Sequence, residues 1–374
     1  MARTYRYISG DGHLEISPEQ WRHWVDPKHR DRAPRAIETA AGTAIMSENS
    51  PLKYRTEHPP NTNPEDWNLD KHVRLEDMPG GGPPEQRVRE LDQDGIDAEV
   101  LFPGLGGWGL WNNIADDDAY LAIVYGYNEL LAKEFCAVAP DRLIGMGVMP
   151  RRGVDYAIAE LEHCANLGLK GIVLGAYPSG KDRLTAEDDR FWAAALDMDM
   201  PVTIHAGLPV APGDYLARRL CVPIGFRGCA VASLALTVHG VFERFPKLQL
   251  YIAETGVAWA PAWLEQVDVM YKKGYHFQYD KLEGLKALDC LPSEIIREHV
   301  SWGMLDDRLG IELCTHYGNY VGVNKAIWGH DFPHKPTDWP HSLDQIERIF
   351  AGVSEEDRYQ MLVGNAVRYF HLDG

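Results

Sequence analysis

Residues Ile8–Ile16 read ISGDGHLEI, and the reading of this stretch decides the rest. It opens as a short apolar strand, Tyr7–Ser9, and then carries Asp11 and His13 with one residue between them. On an extended chain, alternate side chains share a face. A carboxylate and an imidazole side by side at a strand end form half of a site for a divalent cation. The pattern recurs downstream. His205 closes a strand in PVTIHAG (201–207), Glu254 closes one in LQLYIAETG (248–256), and Asp331 follows one in KAIWGHDFPH (325–334). Strand ends are where a parallel α/β barrel builds its active site.

Eight apolar runs read as strands: Tyr7–Ser9, Ala98–Phe102, Leu143–Met149, Leu169–Leu174, Val202–His205, Leu248–Glu254, Val300–Gly303 and Ala326–Gly329. Helical periodicity fills most of the gaps. In DYAIAELEHCANLG (155–168), Ile158, Leu161, Ala165 and Leu167 fall near one face, and a glycine ends the run. FWAAALDMD (191–199) and SLALTVHGVFERFP (233–246) each read as a helix. Strand and helix alternating in this way predict a (β/α)8 TIM barrel, with a doubly wound open sheet as runner-up. The expected organisation is one metal-dependent barrel domain over residues 1–374. Two segments break the rhythm. Residues 17–85, rich in proline, glycine and polar side chains, read as an elaborated insertion after the first strand, packed over the barrel mouth. A smaller insertion at 272–294 follows the sixth strand.

Composition narrows the partners. The formal net charge of −18 disfavours nucleic acid and anionic membranes, so the expected partner is a small molecule. No stretch has the length of a membrane span, and the N-terminus enters a strand at once, without the apolar core of a secretory signal. The six cysteines form no CxxC pair and read as reduced thiols of a cytoplasmic protein. A homodimer is compatible with such a barrel.

Beyond the four strand ends, Glu15 continues the face of His13, as a further ligand or as a hydrogen-bond acceptor behind one. His330 should point away from its neighbour Asp331. In PGLGGWGLWNN (103–113), Trp108 and Trp111 among glycines read as apolar anchors of a mobile lid, or as a packed loop. Arg151 is a candidate for a substrate carboxylate or phosphate, and His334 for a substrate contact.

These pieces, with RVRELDQDGIDAEVLFPG (87–104), DRLIGMGVMP (141–150), LGLKGIVLG (167–175), FERFPKLQLYIAETGVAWAP (242–261) and WGHDFPH (328–334), resemble the amidohydrolase-related family that includes aminocarboxymuconate-semialdehyde decarboxylase and resorcylate decarboxylases. The resemblance implies a (β/α)8 barrel and a first metal held by Asp11, His13, His205 and Asp331. The chain departs from it in three places. Decarboxylases of the family usually carry a histidine where Glu254 stands. The fourth strand ends in Leu174–Gly175, without the bridging lysine or glutamate of the dinuclear hydrolases. Glu15 adds a carboxylate.

Six candidate metal ligands follow: Asp11, His13, Glu15, His205, Glu254 and Asp331, with Glu254, Asp331 and His205 as the catalytic candidates. So carboxylate-rich a set resembles paired non-haem irons that activate O2. The leading expectation is therefore a diiron monooxygenase, drawing on an external electron donor, that hydroxylates a bulky apolar acid or acyl-coenzyme A. The alternatives are a zinc or manganese hydrolase of an amide, ester or thioester, and a non-oxidative decarboxylase.

Overall fold

The computed structural model describes residues 3–40, 42–54, 78–104, 111–210, 227–274 and 286–372. Barrel strand β1 spans Ile8–Leu14. An antiparallel meander follows: β2 (Arg35–Thr39), β3 (Gly42–Met46) and β4 (Lys53–Tyr54). The parallel strands resume with β5 (Ala98–Pro103), β6 (Leu143–Gly145) and β7 (Gly147–Val148). They continue through β8 (Ile172–Leu174), β9 (Val202–His205), β10 (Leu250–Ala253), β11 (Val300–Met304) and β12 (Ala326–Trp328).

Pairing runs β1-β5-β6 in one set and β7-β8-β9-β10-β11-β12 in the other. Met146 joins the two sets. Its N–H goes to Leu101 O on β5, while the next residue, Gly147, donates to Gly171 O beside β8. The two short strands are thus the single Leu143–Met149 run expected from sequence, interrupted where it changes partner. At the other seam, His13 N donates to Phe332 O and Asp331 N to Asp11 O, each from 2.8–2.9 Å. Backbone hydrogen bonds therefore return the last strand to the first. This gives a (β/α)8 TIM barrel rather than a doubly wound sheet.

The barrel strands are buried on both faces, as parallel strands flanked by helices must be. The helix Val154–Asn166 buries Val154, Ala157, Leu161 and Cys164, so its apolar stripe is centred one position from the expected one, with Ile158, Ala165 and Leu167 on the flank. The expected single helix over 233–246 is two, Arg227–Val238 and Val241–Arg244, because Gly240 turns left-handed at φ +68°. β1 also runs further than read. It passes through Asp11 and His13, with a register irregularity between Ser9 and Gly12. The segment after β1 is more regular than its composition suggests, since it contains the meander; the described cysteines, Cys136, Cys164, Cys229, Cys290 and Cys314, are free thiols. Among the described residues no helix is long and apolar enough to cross a membrane.

A buried charge network locks the β1–β12 seam. Arg87 pairs with Glu99 of β5. Its Nη2 donates to His13 O at 2.7 Å and Phe332 O at 3.1 Å, tying both seam strands to one guanidinium. His330 lies between Asp94 and Glu99, 3.2 Å from each, and points away from Asp331 as the pleat requires. Burial opposes the imidazolium, but Asp94 and Glu99 outweigh it and raise His330 to about 9. The folded-state value then exceeds the unfolded one of about 6.5. Its contribution to stability is full below that lower value and is lost as pH rises through the upper one. The urea midpoint of the wild type should fall between pH 6.5 and 9.5 more steeply than that of His330→Gln; parallel slopes would show that His330 is not the titrating group.

Candidate metal centre

Two of the site residues, and the neighbour of a third, sit where the backbone leaves a strand in an uncommon conformation. Ala206, next to His205, has φ 54°, Glu254 has φ 55° and Asp331 has φ 55°. Non-glycine residues rarely occupy this left-handed region, and they are held there by surrounding structure, often at functional sites. Gly329 permits a close approach of the last strand to Asp11. A Cβ there would lie 2.6 Å from Asp11 Cβ.

Asp11, His13, His205 and Asp331 converge. His13 Nε2 stands 3.5 Å from Asp11 Oδ1 and 3.2 Å from Asp331 Oδ1. His205 Nε2 stands 3.4 Å from the same Asp11 oxygen and 3.3 Å from Glu254 Oε2. His334 completes the far side, with Nδ1 3.0 Å from Asp331 Oδ1 and Nε2 3.0 Å from Glu15 Oε1. Its ring stacks on His13 with centroids 3.8 Å apart, and His205 meets His13 edge-on at 4.6 Å. Two sets of donor atoms lie close enough to share a cation: Asp11–His13–His205 and His13–Asp331–His334.

Those donors fit a divalent cation. Asp11 Oδ1 and Oδ2, His13 Nε2, His205 Nε2 and Asp331 Oδ2 are buried and, among the described residues, have no hydrogen-bond partner. Buried polar atoms are nearly always paired, so a cluster of unpaired oxygen and imidazole donors facing one point is the signature of a cation cradle. Electrostatics agrees. Burial favours neutral carboxyls, yet His13 and His205 hold Asp11 well below the usual range, and His13 and His334 hold Asp331 down. Glu254 differs. Burial, reinforced by the Asp11 charge, pushes its carboxyl up, and it keeps 31% of its side chain exposed against 1% for Asp11. It is the rim carboxylate of the set. Burial works against a charged His334, but Asp331 and Glu15 overcome it and raise the imidazole to about 11.

The remaining sequence candidates divide. Arg151 lines a cavity of about 440 Å³ together with Asn112, Gly175, His205 and Gly207. Among the described residues its guanidinium has no carboxylate partner, whereas Arg152 is engaged by Asp117 and by the carbonyls of Asn112 and Ile114. Trp111 is not a lid anchor. It is fully buried against Trp21 and Tyr127, the latter on the helix Asp117–Leu130, ring centroids 5.5 and 5.0 Å away. Trp108 lies outside the described residues. Glu15 contacts His334 and belongs to neither donor set. Sequence reasoning missed Asn112, and it missed the Arg87–Glu99–Asp94 brace, although a glutamate inside the apolar strand AEVLF was the signal.

The family model described as Amidohydrolase matches residues 11–372. The chain belongs to the Amidohydrolase family. With the cradle above, it is a metal-dependent enzyme of that family. The 2-amino-3-carboxymuconate-6-semialdehyde decarboxylase of Dictyostelium discoideum is 24% identical over 296 residues, 78% of this chain and 77% of that protein. An amidohydrolase from Mycobacterium avium subsp. paratuberculosis K-10 superposes with a TM-score of 0.72 at 20% identity, over 99% of this chain and 98% of that one. A 5-carboxyvanillate decarboxylase from Novosphingobium aromaticivorans DSM 12444, solved with manganese and 4-hydroxy-3-methoxy-5-nitrobenzoic acid, gives 0.66 at 19% identity, over 98% and 96% of the two chains. These relatives favour the decarboxylase alternative over the oxygenase expected from the carboxylate count.

Gly329→Ala should push Asp11 out of place and loosen the cation by roughly 10–100-fold, a loss of the size seen when groups orienting a metal ligand are removed. Metal content after dialysis against graded chelator measures this; unchanged retention would show that Asp11 tolerates the shift or is not a ligand.

Proposed function

We propose that this chain is a divalent-metal-dependent, non-oxidative decarboxylase of an unsaturated or aromatic acid that carries a second anionic group. The observation that carries the reading is the pairing of Arg151 with His205 on one cavity wall. Among the described residues, Arg151 is a cation without a carboxylate partner beside the cradle, as an anionic substrate spanning both requires. The decarboxylases among the relatives support the reaction class.

Asp11, His13, His205 and Asp331 would hold the metal. When bound, a divalent cation such as manganese polarises the substrate oxygens beside the scissile bond. Arg151 would fix the distal anion and leave the scissile carboxylate to face the cradle. Burial and the nearby Arg152 draw the Arg151 guanidinium down from its usual value, so neutralisation by an anion is favourable. Loss of CO2 leaves the C–C electron pair on carbon, and that carbon must then take a proton. His334 holds one at Nδ1 against Asp331 Oδ1, so the Asp331–His334 pair is the proton source. Glu254, with its carboxyl pushed up at the rim, would bind a substrate oxygen.

A second reading rests on the second donor set. His13, Asp331 and His334, with Glu15 behind them, could hold a second metal, which keeps O2-dependent hydroxylation as the alternative.

CO2 release from hydroxybenzoates and unsaturated diacids with manganese or zinc, run beside O2 uptake with ferrous iron, separates the two. Metal-dependent CO2 release without O2 consumption is expected; two irons per chain with O2-coupled hydroxylation and no CO2 would overturn the decarboxylase. Arg151→Met should raise KM by about 10–100-fold, the value of a charged hydrogen bond, with a smaller change in kcat. His334→Gln should lower kcat by about 10²–10⁴-fold, the usual span for a proton donor, with the metal retained. A rate within a few-fold of wild type in that variant would remove the Asp331–His334 pair from proton transfer.

A further inference from the structure

At the opposite end of the barrel, below the starts of β9–β12, a second cavity of about 260 Å³ opens. It shares no residue with the cavity beside His205. In a chain of net charge −18, its wall gathers basic side chains: Lys247, Lys325, Arg368 and His371 all line it. Asp199 is the single carboxylate residue among its lining, and that group is 3.3 Å from His371.

Lys325 ends the turn Val323–Lys325 that leads into β12, which fixes its side chain beneath the barrel. Its Nζ donates to Gln249 Oε1 at 2.7 Å and to Glu298 O at 2.5 Å, both neutral acceptors. Arg368 likewise spends its Nη2 on Asn365 Oδ1 at 2.6 Å and Asn324 O at 3.4 Å. Among the described residues neither cation has an ion-pair partner. Burial and the repulsion from Arg368 draw Lys325 down to about 8, against a weaker pull from the exposed Glu298. A half-buried ammonium beside a guanidinium, with neutral acceptors only, is an arrangement that a bound anion would stabilise. The hydroxyl of Tyr369, on the same wall, donates to Val202 O at 2.6 Å.

We propose that this cavity is a binding site for a compact, multiply charged oxyanion of the phosphate class, gripped by Lys325 and Arg368 at the N-terminal end of the barrel. The cavity volume admits an inorganic phosphate or the phosphoryl end of a small metabolite. Lys247, exposed at the edge, adds to the field that draws the anion in. The site stands independently of the reaction assigned above.

The test is calorimetric titration of the metal-loaded enzyme with inorganic phosphate and, separately, with glycerol 3-phosphate. Saturable binding is expected, weakened roughly tenfold or more by Lys325→Gln and by Arg368→Gln, each of which removes a charge-assisted contact. Arg368 is exposed, so its variant keeps the question open to measurement if Lys325→Gln fails to fold. Tighter binding of phosphate assigns a free anion, and tighter binding of the ester a metabolite. No binding of either probe, or binding that Arg368→Gln leaves unchanged and that therefore occurs at the metal centre or elsewhere, would overturn the site.

Discussion

Two buried carboxylates facing one imidazole set the terms for the rest of this protein. Asp11 and Asp331 are both fully buried, and both have an oxygen within 3.5 Å of His13 Nε2. Like charges so close in a poorly polarisable interior repel strongly unless cations stand among them. The folded chain offers imidazoles on three sides, from His13, His205 and His334. It leaves several of the donor atoms without hydrogen bonds. A divalent cation held at that point would neutralise the carboxylates and take the imidazole nitrogens as ligands, and so would couple metal binding to folding of the barrel's open end.

The brace behind the site follows from the same constraint. Donors that repel one another must be held by rigid backbone, and the seam between β1 and β12 is where that backbone would otherwise slip. Arg87 clamps the carbonyls of His13 and Phe332, Glu99 pairs with Arg87, and His330 joins Glu99 to Asp94. Asp94 also accepts from the backbone N–H and hydroxyl of Ser342, which ties the helix after β12 into the network. Removing one member of such a buried set typically costs about 3–5 kcal/mol, because the others are left charged and unpaired. His330 and Asp331, adjacent in sequence, thus serve opposite sides of the wall. One fastens the seam and the other faces the cradle.

The reaction class turns on what surrounds the donors more than on their number. A carboxylate-rich set suggested paired irons, but the set is not uniform. Asp11 and Asp331 are buried and held ionised, Glu254 stands at the rim with its carboxyl pushed up, and Glu15 is engaged with His334. Only part of the acidic complement therefore faces the metal position. Arg151 supplies the opposite charge on the cavity wall. That polarity, a cation cradle flanked by an organic cation, suits a substrate with two anionic ends.

Local sequence carried the strand ends and their chemistry. Alternation placed Asp11 and His13 on one face, the apolar runs located the barrel strands, and the residues following those runs named His205, Glu254 and Asp331. These are properties of neighbours within a few positions, which is the range over which pleat and helical period act. What only the tertiary structure decided are relations between distant segments. Trp111 is core rather than lid because Trp21 and Tyr127, far away in the chain, fill the space around it. His334 joined the centre because the turn after Asp331 swings it over His13 and onto Glu15. Arg151 was separated from Arg152 only by which one found Asp117. Periodicity fixes the face on which a side chain lies, but the partner it meets there depends on how the barrel closes, and closure is a property of the whole chain.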